Sequence, residues 1–84
     1  MTLEILTPDK TIYNGEVTSV TVPGTMGFFE VLKDHAPIIS TLEKGKVTIR
    51  GGHKVEEVVH IIGGVVEVQN NRIIVLAEGV EEIS

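Results

Sequence analysis

The chain has 84 residues, a formal net charge of −5 and no cysteine. At this length it forms one domain with a modest core, and without cysteine it has neither disulfides nor thiolate metal sites to reinforce that core. The acidic balance disfavours binding to nucleic acid and to anionic lipid, because no stripe of lysine and arginine exists to neutralise them. No apolar run approaches the roughly 20 residues of a membrane span, and no signal peptide is recognisable, so we expect no direct lipid insertion.

Runs typical of short β-strands follow one another along the chain. Valine, isoleucine and threonine dominate, and such β-branched side chains fit a pleated sheet better than a helix. Val47 and Ile49 alternate with polar residues and are expected to face the core. The runs span residues 2–7, 10–13, 16–22, 27–32, 38–43, 46–50, 54–62, 65–69 and 72–78.

Pairs of turn-forming residues separate most of these runs. Asn14-Gly15 is the strongest hairpin signal, because asparagine and glycine tolerate the positive φ of a two-residue turn. Pro23-Gly24 is expected to end the third run, Gly63-Gly64 to form a bulge or sharp bend, and Asn70-Asn71 to close the last hairpin. Roughly eight to ten short strands with such turns predict an all-β fold, either a β-sandwich or a small barrel.

No combination of residues indicates catalysis or metal binding. His35, His53 and His60 lie on separate elements without a second ligand at a recognised spacing, and we interpret His53 as solvated and His60 as half-buried. Glu56 and Glu57 are adjacent on a strand, so their side chains point to opposite faces and cannot act as a pair. Neither a nucleophilic triad nor a glycine-rich phosphate loop is present, so we expect no enzyme and no cofactor.

The two phenylalanines, Phe28 and Phe29, are neighbours. On a strand they point to opposite faces, so one fills the core and the other is a candidate exposed contact. A second layer or a loop that covers the outer ring is the open alternative.

Two motifs far apart in the chain point to a family. In residues 23–42, two glycines break a β pattern, and the apolar strand that follows leads into a charged corner closed by His35-Ala36-Pro37; residues 63–68 read Gly-Gly-Val-Val-Glu-Val. The first stretch resembles the glycine-bracketed strand and His-Ala-Pro corner of the epsilon subunit of F-type ATP synthases. The second is similar to the Gly-Gly-x-x-Glu-Val motif of that family. With similar first and last strands, the resemblance covers nearly the whole chain.

The resemblance implies a β-sandwich of about ten strands in two packed, mostly antiparallel sheets, which is the N-terminal domain of epsilon. We place this domain at residues 1–78 and a tail at residues 79–84. The implied function is that of a non-catalytic subunit of the central stalk, which binds the gamma subunit and the polar loops of the c-ring and so couples proton translocation to ATP synthesis. The implied location is peripheral, on the cytoplasmic face of the bacterial inner membrane or the equivalent organelle membrane face.

The sequence departs from the family pattern at three places. The acidic residue that often follows the second glycine is Phe28 here, with Glu30 two positions later on the same strand face. Lys33 and Asp34 stand where a proline and its neighbour often precede the histidine. The family's C-terminal helical hairpin, with its inhibitory switch and, in some members, an ATP site, has no counterpart, so ATP binding is not expected. A naturally short epsilon and a shortened chain both remain open.

The family pattern gives a candidate partner-binding site on the side of the c-ring, made of Phe28, Glu30, Asp34 and His35. We expect Glu30 and Asp34 to meet basic residues of the ring's polar loops. Exposed ion pairs contribute little energy, so these contacts align the partners more than they hold them. His35 is expected to stabilise the corner by hydrogen bonding rather than to relay protons.

A carrier domain of the lipoyl or biotinyl type is the alternative function, because such domains are also β-sandwiches of about this size. Lys10 would then be the modified lysine. Carrier domains place that lysine at a hairpin tip between two similar halves. The sequence shows no internal repeat, which disfavours this alternative.

Overall fold

A computed structural model describes residues 1–82, and within this range the chain forms nine β-strands and no helix. The predicted all-β class is confirmed, with nine strands and one isolated bridge where about ten strands were expected. The strands are β1 (Thr2–Leu6), β2 (Thr11–Glu16), β3 (Ser19–Gly24), β4 (Gly27–Leu32), β5 (Ile38–Leu42), β6 (Gly45–Arg50), β7 (Glu56–Ile61), β8 (Gly64–Gln69) and β9 (Arg72–Ala77).

The strands form one curled sheet that closes into the two layers of a β-sandwich. Their order is β2-β1-β9-β8-β5-β3-β6-β7, and β4 pairs with the other edge of β3. β5 and β3 are joined only through the pair Gly24–Leu42. The sheet folds at this pair, so that the strands on either side of it form separate layers. The result is a five-stranded layer (β2-β1-β9-β8-β5) and a four-stranded layer (β4-β3-β6-β7). All these neighbours are antiparallel except β1 and β9, as the prediction of mostly antiparallel sheets requires.

The core lies between the two layers and is built from the inward side of each strand. Val47 and Ile49 are buried there as predicted. Full burial of one such aliphatic side chain stabilises the fold by about 1.5–3 kcal/mol. The largest fully buried side chains are all aliphatic: Leu3, Ile5, Ile49, Ile61, Ile73, Val20, Val22, Val31, Val47, Val66, Val68 and Val75.

The first hairpin turns at Pro8-Asp9, the turn pair that the sequence predicts between the first two runs, and not at Asn14-Gly15. Its turn occupies residues 8–10, where the backbone N–H of Thr7 donates to the carbonyl oxygen of Lys10 at 2.9 Å. Asn14-Gly15, the other predicted turn, lies inside β2, so this prediction is wrong. The fixed φ of Pro8 favours a turn immediately after β1, and β2 is then free to continue through Gly15.

Gly15 leaves room for the His53 ring instead of forming a turn. It lies opposite Leu3 in the pairing of β1 with β2. A Cβ atom at Gly15 would lie 2.9 Å from Nε2 of the His53 imidazole. That ring lies against Tyr13, with 5.0 Å between ring centroids, and its Nε2 is 3.1 Å from the carbonyl oxygen of Asn14. His53 is exposed, but it contacts the outer edge of β2 and is not free in solvent as the sequence suggested.

Pro23 and Gly24 continue β3 instead of ending it, which corrects a second predicted turn. The turn is formed by Thr25 and Met26, and Gly24 pairs with Gly27 across it. On the side of β3 away from β4, Pro23 lies between the start of β6 and the end of β5. The ladder has a gap at this place, so the missing N–H of proline is tolerated within a strand.

The last hairpin and the bend before it form where the sequence predicts them. Asn70 and Asn71 have φ values of 52° and 59°, which a two-residue hairpin turn requires and asparagine tolerates. Gly63 and Gly64 have φ values of 134° and 154°. A Cβ atom at Gly64 would also lie 3.0 Å from the Cα of Ala77, so the bend between β7 and β8 requires glycine.

After β9 the chain returns along the outer edge of β7. Val80 forms an isolated bridge with Ile61, and the N–H of Glu81 donates to the carbonyl oxygen of His60 at 2.8 Å. The Glu81 carboxylate also lies 3.0 Å from Lys44 Nζ. The first residues of the expected tail at 79–84 therefore pair with the sandwich, and residues 83 and 84 lie outside the described range. The domain boundary at residue 78 stays a prediction.

Candidate functional site

Two of the predicted site residues lie on the outer face of β4. Phe28 is paired with Pro23 of β3, and Glu30 is paired with Thr21. Because side chains alternate along a strand, Phe28 and Glu30 share this face, whereas Phe29 points inward. Phe28 is 62% exposed, and Phe29 packs against the core. The structure therefore decides which of the two adjacent phenylalanines is available to a partner.

Glu30 shares its surroundings with a cation. One guanidinium nitrogen of Arg50 lies 3.9 Å from the Glu30 carboxylate, and another lies 3.4 Å from the Glu56 carboxylate. All three side chains are about half exposed, so each pair contributes only about 0–1 kcal/mol. Glu30 thus presents a partner with a charge that is already partly balanced within the protein. The sequence did not reveal this pairing, since Arg50 lies two strands away on β6.

The corner, which we define as residues 33–37 between β4 and β5, contains the other two predicted site residues. Asp34 has a φ of 64°, in the left-handed region that aspartate adopts more readily than most residues. The backbone N–H of His35 donates to the carbonyl oxygen of Leu32 at 3.1 Å, and its ring Nδ1 lies 2.7 Å from the carbonyl oxygen of Ala36. The hydrogen bonds of His35 therefore stay within the corner and the end of β4.

Asn71, which sequence reasoning missed, contacts the corner from the β8–β9 turn. Its side-chain Oδ1 accepts the backbone N–H of Asp34 at 2.7 Å, and its Nδ2 donates to Asp34 Oδ1 at 3.0 Å. The sequence showed Asn71 only as a turn residue. Its contact with Asp34 spans 37 positions in sequence, and no local pattern reports a contact of that range.

The four predicted residues lie along one edge and do not converge on a point. Phe28 and Leu32 are four positions apart on β4, which corresponds to about 13 Å at ~3.3 Å per residue, and the corner with Asp34 and His35 follows Leu32. Met26, at the tip of the β3–β4 turn, is 99% exposed, and Leu32 at the end of β4 is 52% exposed. These two apolar residues were also missed, although the period-two spacing of Phe28, Glu30 and Leu32 was visible in the sequence.

A second exposed apolar surface lies on the five-stranded layer. We call it the β5–β9 face, made of Leu6, Ile39, Val65, Ile74 and Leu76. The strand register places Leu76 between Val65 on β8 and Leu6 on β1. Ile39 is 72% exposed and Leu76 is 53% exposed. The other three, Leu6, Val65 and Ile74, are half-buried, and Glu67 lies between Ile39 and Ile74 on the same face. Aliphatic side chains that remain partly exposed together on one sheet face indicate a binding surface.

The remaining candidate groups do not assemble into a reactive site in the part of the chain that the structure describes. No group of three or more histidine, aspartate or glutamate side chains is placed to hold a metal ion within residues 1–82. Over the same residues, no helix is long and apolar enough to cross a membrane. Lys10 lies exposed in the β1–β2 turn, but the strand order does not divide residues 1–82 into the two similar halves of a carrier domain.

Comparison with known proteins assigns the fold to a family. The family model described as "ATP synthase, Delta/Epsilon chain, beta-sandwich domain" matches residues 1–83. The chain belongs to this family. Similar proteins include the ATP synthase epsilon chains of Chlorobaculum tepidum, 44% identical over 79 residues, and Sulfurimonas denitrificans, 52% identical over 77 residues. The resemblance seen in the sequence is confirmed.

The relatives differ in how much of their own length the chain covers. The match includes 94% of this chain and 90% of the Chlorobaculum protein, but 92% of this chain and 59% of the Sulfurimonas protein. Among solved structures, the central stalk and c-ring of Tetrahymena thermophila mitochondrial ATP synthase contains a chain with a TM-score of 0.81, at 18% identity, covering 98% of this chain and 66% of that one. A chain of Euglena gracilis mitochondrial ATP synthase has a TM-score of 0.82 at 18% identity, and the match covers 94% of this chain and 51% of that one. At this identity, the structures show the shared fold.

Proposed function

We propose that this chain is a non-catalytic rotor subunit in the central stalk of an F-type ATP synthase. In this role it binds the gamma subunit and the c-ring, and it couples proton translocation to ATP synthesis. The observation that carries the proposal is the family match over residues 1–83. The proposed location is peripheral, on the cytoplasmic face of the bacterial inner membrane or the equivalent organelle membrane face.

Two exposed surfaces on different layers support a role between two partners. The β5–β9 face belongs to the five-stranded layer, and the outer face of β4 belongs to the four-stranded layer. A subunit that transmits torque must hold both neighbours at once. Surfaces on different layers allow this, because one partner does not occlude the other.

The β5–β9 face is the proposed contact for gamma. Its exposed aliphatic side chains, such as Ile39 and Leu76, gain about 25 cal/mol for each Å² of apolar surface removed from water. A contact that stays closed during rotation needs a standard-sized interface of about 1,600 Å² in total, or more. An aliphatic sheet face is suited to this, since its affinity does not depend on ion pairs that salt would screen.

The β4 edge and the corner are the proposed contact for the polar loops of the c-ring. Glu30 and Asp34 offer carboxylates to basic groups, and His35 lies beside them. Phe28 and Met26 offer apolar contact at the place where the family often has an acidic residue. Because β4 extends about 13 Å from Phe28 to Leu32 and the corner continues beyond it, we expect this edge to meet loops of more than one ring subunit.

The first test is sedimentation of the chain with its cognate gamma subunit. We expect a single boundary at micromolar concentration. Leu76→Asp should separate the two proteins, because it places a charge in the middle of the β5–β9 face. Glu30→Lys, on the other layer, is the control and should leave the gamma complex intact. Two independent boundaries for the unmodified pair would contradict the proposal.

The second test concerns nucleotide and cofactor, neither of which has a part in the proposed role. Calorimetry should detect no heat of ATP binding up to millimolar ligand, where a free energy of about −4 kcal/mol would still register. A saturable signal in this range would show that the sandwich itself binds nucleotide. Intact mass of the protein from its host tests the carrier alternative, since a lipoyl or biotinyl group on Lys10 would add a defined increment.

A further inference from the structure

We propose that Asn71 is a positioning residue for the corner: it latches Asp34 to the β8–β9 turn and so sets the orientation in which Asp34 and His35 meet a partner. This inference rests on the proposed function, because it concerns the same ring-side surface. The latch lies where the chain crosses from the four-stranded to the five-stranded layer, since the corner follows β4 and precedes β5, the neighbour of β8.

The latch consists of one amide that makes two hydrogen bonds to one residue. Asn71 Oδ1 accepts the Asp34 N–H at 2.7 Å, and Asn71 Nδ2 donates to the Asp34 carboxylate at 3.0 Å. A carboxamide carries an acceptor and a donor side by side, which neither a hydroxyl nor a carboxylate provides in the same way. An aspartate at position 71 would place its charge against that of Asp34. The bond to the ionised carboxylate is also stronger than a bond between neutral groups.

The corner depends on this latch because it has little packing of its own. Four of its five residues are exposed, and the fifth, His35, is half-buried. None of the five is part of the apolar core. The hydrogen bonds of His35 connect the corner to its own neighbours, Ala36 and the end of β4. The pair with Asn71 is therefore the contact that ties the corner to a distant part of the protein.

Asn71 is a rigid support for the corner. Its φ of 59° belongs to the two-residue turn, and its neighbours Gln69 and Arg72 are paired across that turn. The carbonyl oxygen of Asn71 accepts the N–H of Thr2 at 3.0 Å, which binds the turn to β1. The side chain thus projects from a fixed backbone, and the position of Asp34 follows from it.

Asn70 provides a matched control for Asn71. Both residues have positive φ, at 52° and 59°, and both belong to the same turn. The hydrogen bonds to Asp34 come from Asn71 alone. Glycine adopts positive φ freely, so Asn70→Gly and Asn71→Gly both preserve the turn, and Asn71→Gly also removes the latch. Similar melting temperatures for the two variants will confirm that both are folded.

The first measurement is amide hydrogen exchange on the full chain by NMR. Asn71→Gly should speed exchange at the Asp34 amide on the order of tenfold, because local opening no longer breaks a hydrogen bond. Asn70→Gly should leave that rate unchanged. The double variant Asp34→Asn with Asn71→Asp exchanges the two side chains and should restore slow exchange, since a carboxylate at 71 can accept both the N–H and the amide of an asparagine at 34.

The second measurement is binding to the cognate complex of gamma and c-ring in detergent. Asn71→Gly should weaken binding on the order of fivefold, which is the cost of ordering a loosened loop in the complex. Asn70→Gly should bind as the unmodified chain does. The double variant is reserved for the exchange measurement, because Asp34→Asn removes a carboxylate of the proposed contact. Phe28→Ala, a direct contact in the proposed site, should weaken binding whatever the state of the latch.

The outcomes separate this inference from the proposed function. Unchanged exchange at Asp34 in Asn71→Gly would overturn the latch. Faster exchange with unchanged binding, while Phe28→Ala weakens binding, would show that the latch does not position the surface, and the proposed function would stand. Unchanged binding for both Phe28→Ala and Asn71→Gly would remove the proposed ring-side site, and the positioning role with it.

Discussion

The hairpins β8–β9 and β3–β4 share their local construction but differ in their place in the sheet. Each joins two six-residue antiparallel strands through a two-residue turn. β8 and β9 have further neighbours in β5 and β1, whereas β4 is paired with β3 alone among the strands of residues 1–82. The β8–β9 hairpin therefore lies inside a layer, whereas the β3–β4 hairpin ends at the edge of its layer. The position of a hairpin in the sheet, and not its local pairing, decides whether its outward side chains lie between neighbouring strands or at an open edge.

The side chains of the two hairpins reflect this difference. On β9, Ile73 and Val75 are buried, and outward-facing Leu76, although 53% exposed, has aliphatic neighbours on both adjoining strands. On β4, only Val31 is fully buried, while Phe28 and Leu32 stand exposed at the edge. An edge strand with exposed apolar side chains is a liability for an isolated protein and an advantage for one that is assembled into a complex.

The largest expected effect tests the interior hairpin. Ile73→Ala should lower the free energy of unfolding by about 2–5 kcal/mol, because it opens a cavity in a closely packed core. Leu32→Ala on β4 removes a similar number of carbons from an exposed position and should cost less than about 0.5 kcal/mol. Denaturant unfolding of both variants measures these changes. Equal losses in the free energy of unfolding would contradict the difference between the two hairpins.

The two phenylalanines test the contrast within β4 itself. Phe29→Ala should destabilise the protein by about 1–3 kcal/mol, which is below the value for a fully buried phenylalanine because Phe29 is half-buried. Phe28→Ala should leave stability nearly unchanged and weaken binding to the gamma and c-ring complex. Thermal unfolding and a binding titration on both variants separate the two roles. A stability loss at Phe28 as large as that at Phe29 would mean that its ring supports the fold.

The turns of the two hairpins should also respond differently. Asn70→Ala should cost about 1–2 kcal/mol, because alanine is strained at the positive φ of 52°. Met26→Ala should be nearly neutral, since Met26 is fully exposed and is not among the non-glycine residues with positive φ. Asn70→Gly controls for the lost side chain and should be close to neutral. Equal melting temperatures for Asn70→Ala and Asn70→Gly would contradict this explanation.

The smallest expected effect on stability concerns Glu30. Glu30→Lys places a second cation near Arg50 at the surface, which should cost at most about 1 kcal/mol. Its effect on ring binding should be larger at low salt than at high salt, because exposed charges are screened. Glu82→Lys, the same charge change at an exposed position beside the outer edge of β7 and outside both proposed contacts, is the control and should leave ring binding unchanged. Loss of binding in both variants would indicate a general effect of net charge.

Local pattern was sufficient for most of the fold and for half of the site. The strand runs, the inward side of β6 and the turn at Asn70-Asn71 follow from side-chain alternation and from the tolerance of asparagine for positive φ. The same alternation placed Phe28 and Glu30 on one face. The predicted turns at Asn14-Gly15 and Pro23-Gly24 were wrong. Gly15 instead leaves room for the His53 ring, and Pro23 lies within β3 at a position that has no ladder partner on the side away from β4.

The sequence by itself determined an all-β domain, its family and the outward position of alternate residues on β4, since each depends on composition, motif order or a period of two. Only the tertiary structure decided that Phe28 and not Phe29 is exposed, that Arg50 lies beside Glu30, and that Asn71 holds Asp34. These facts depend on which strands become neighbours. Strand order is set by how the whole chain buries its apolar sides, so no local stretch of sequence contains it.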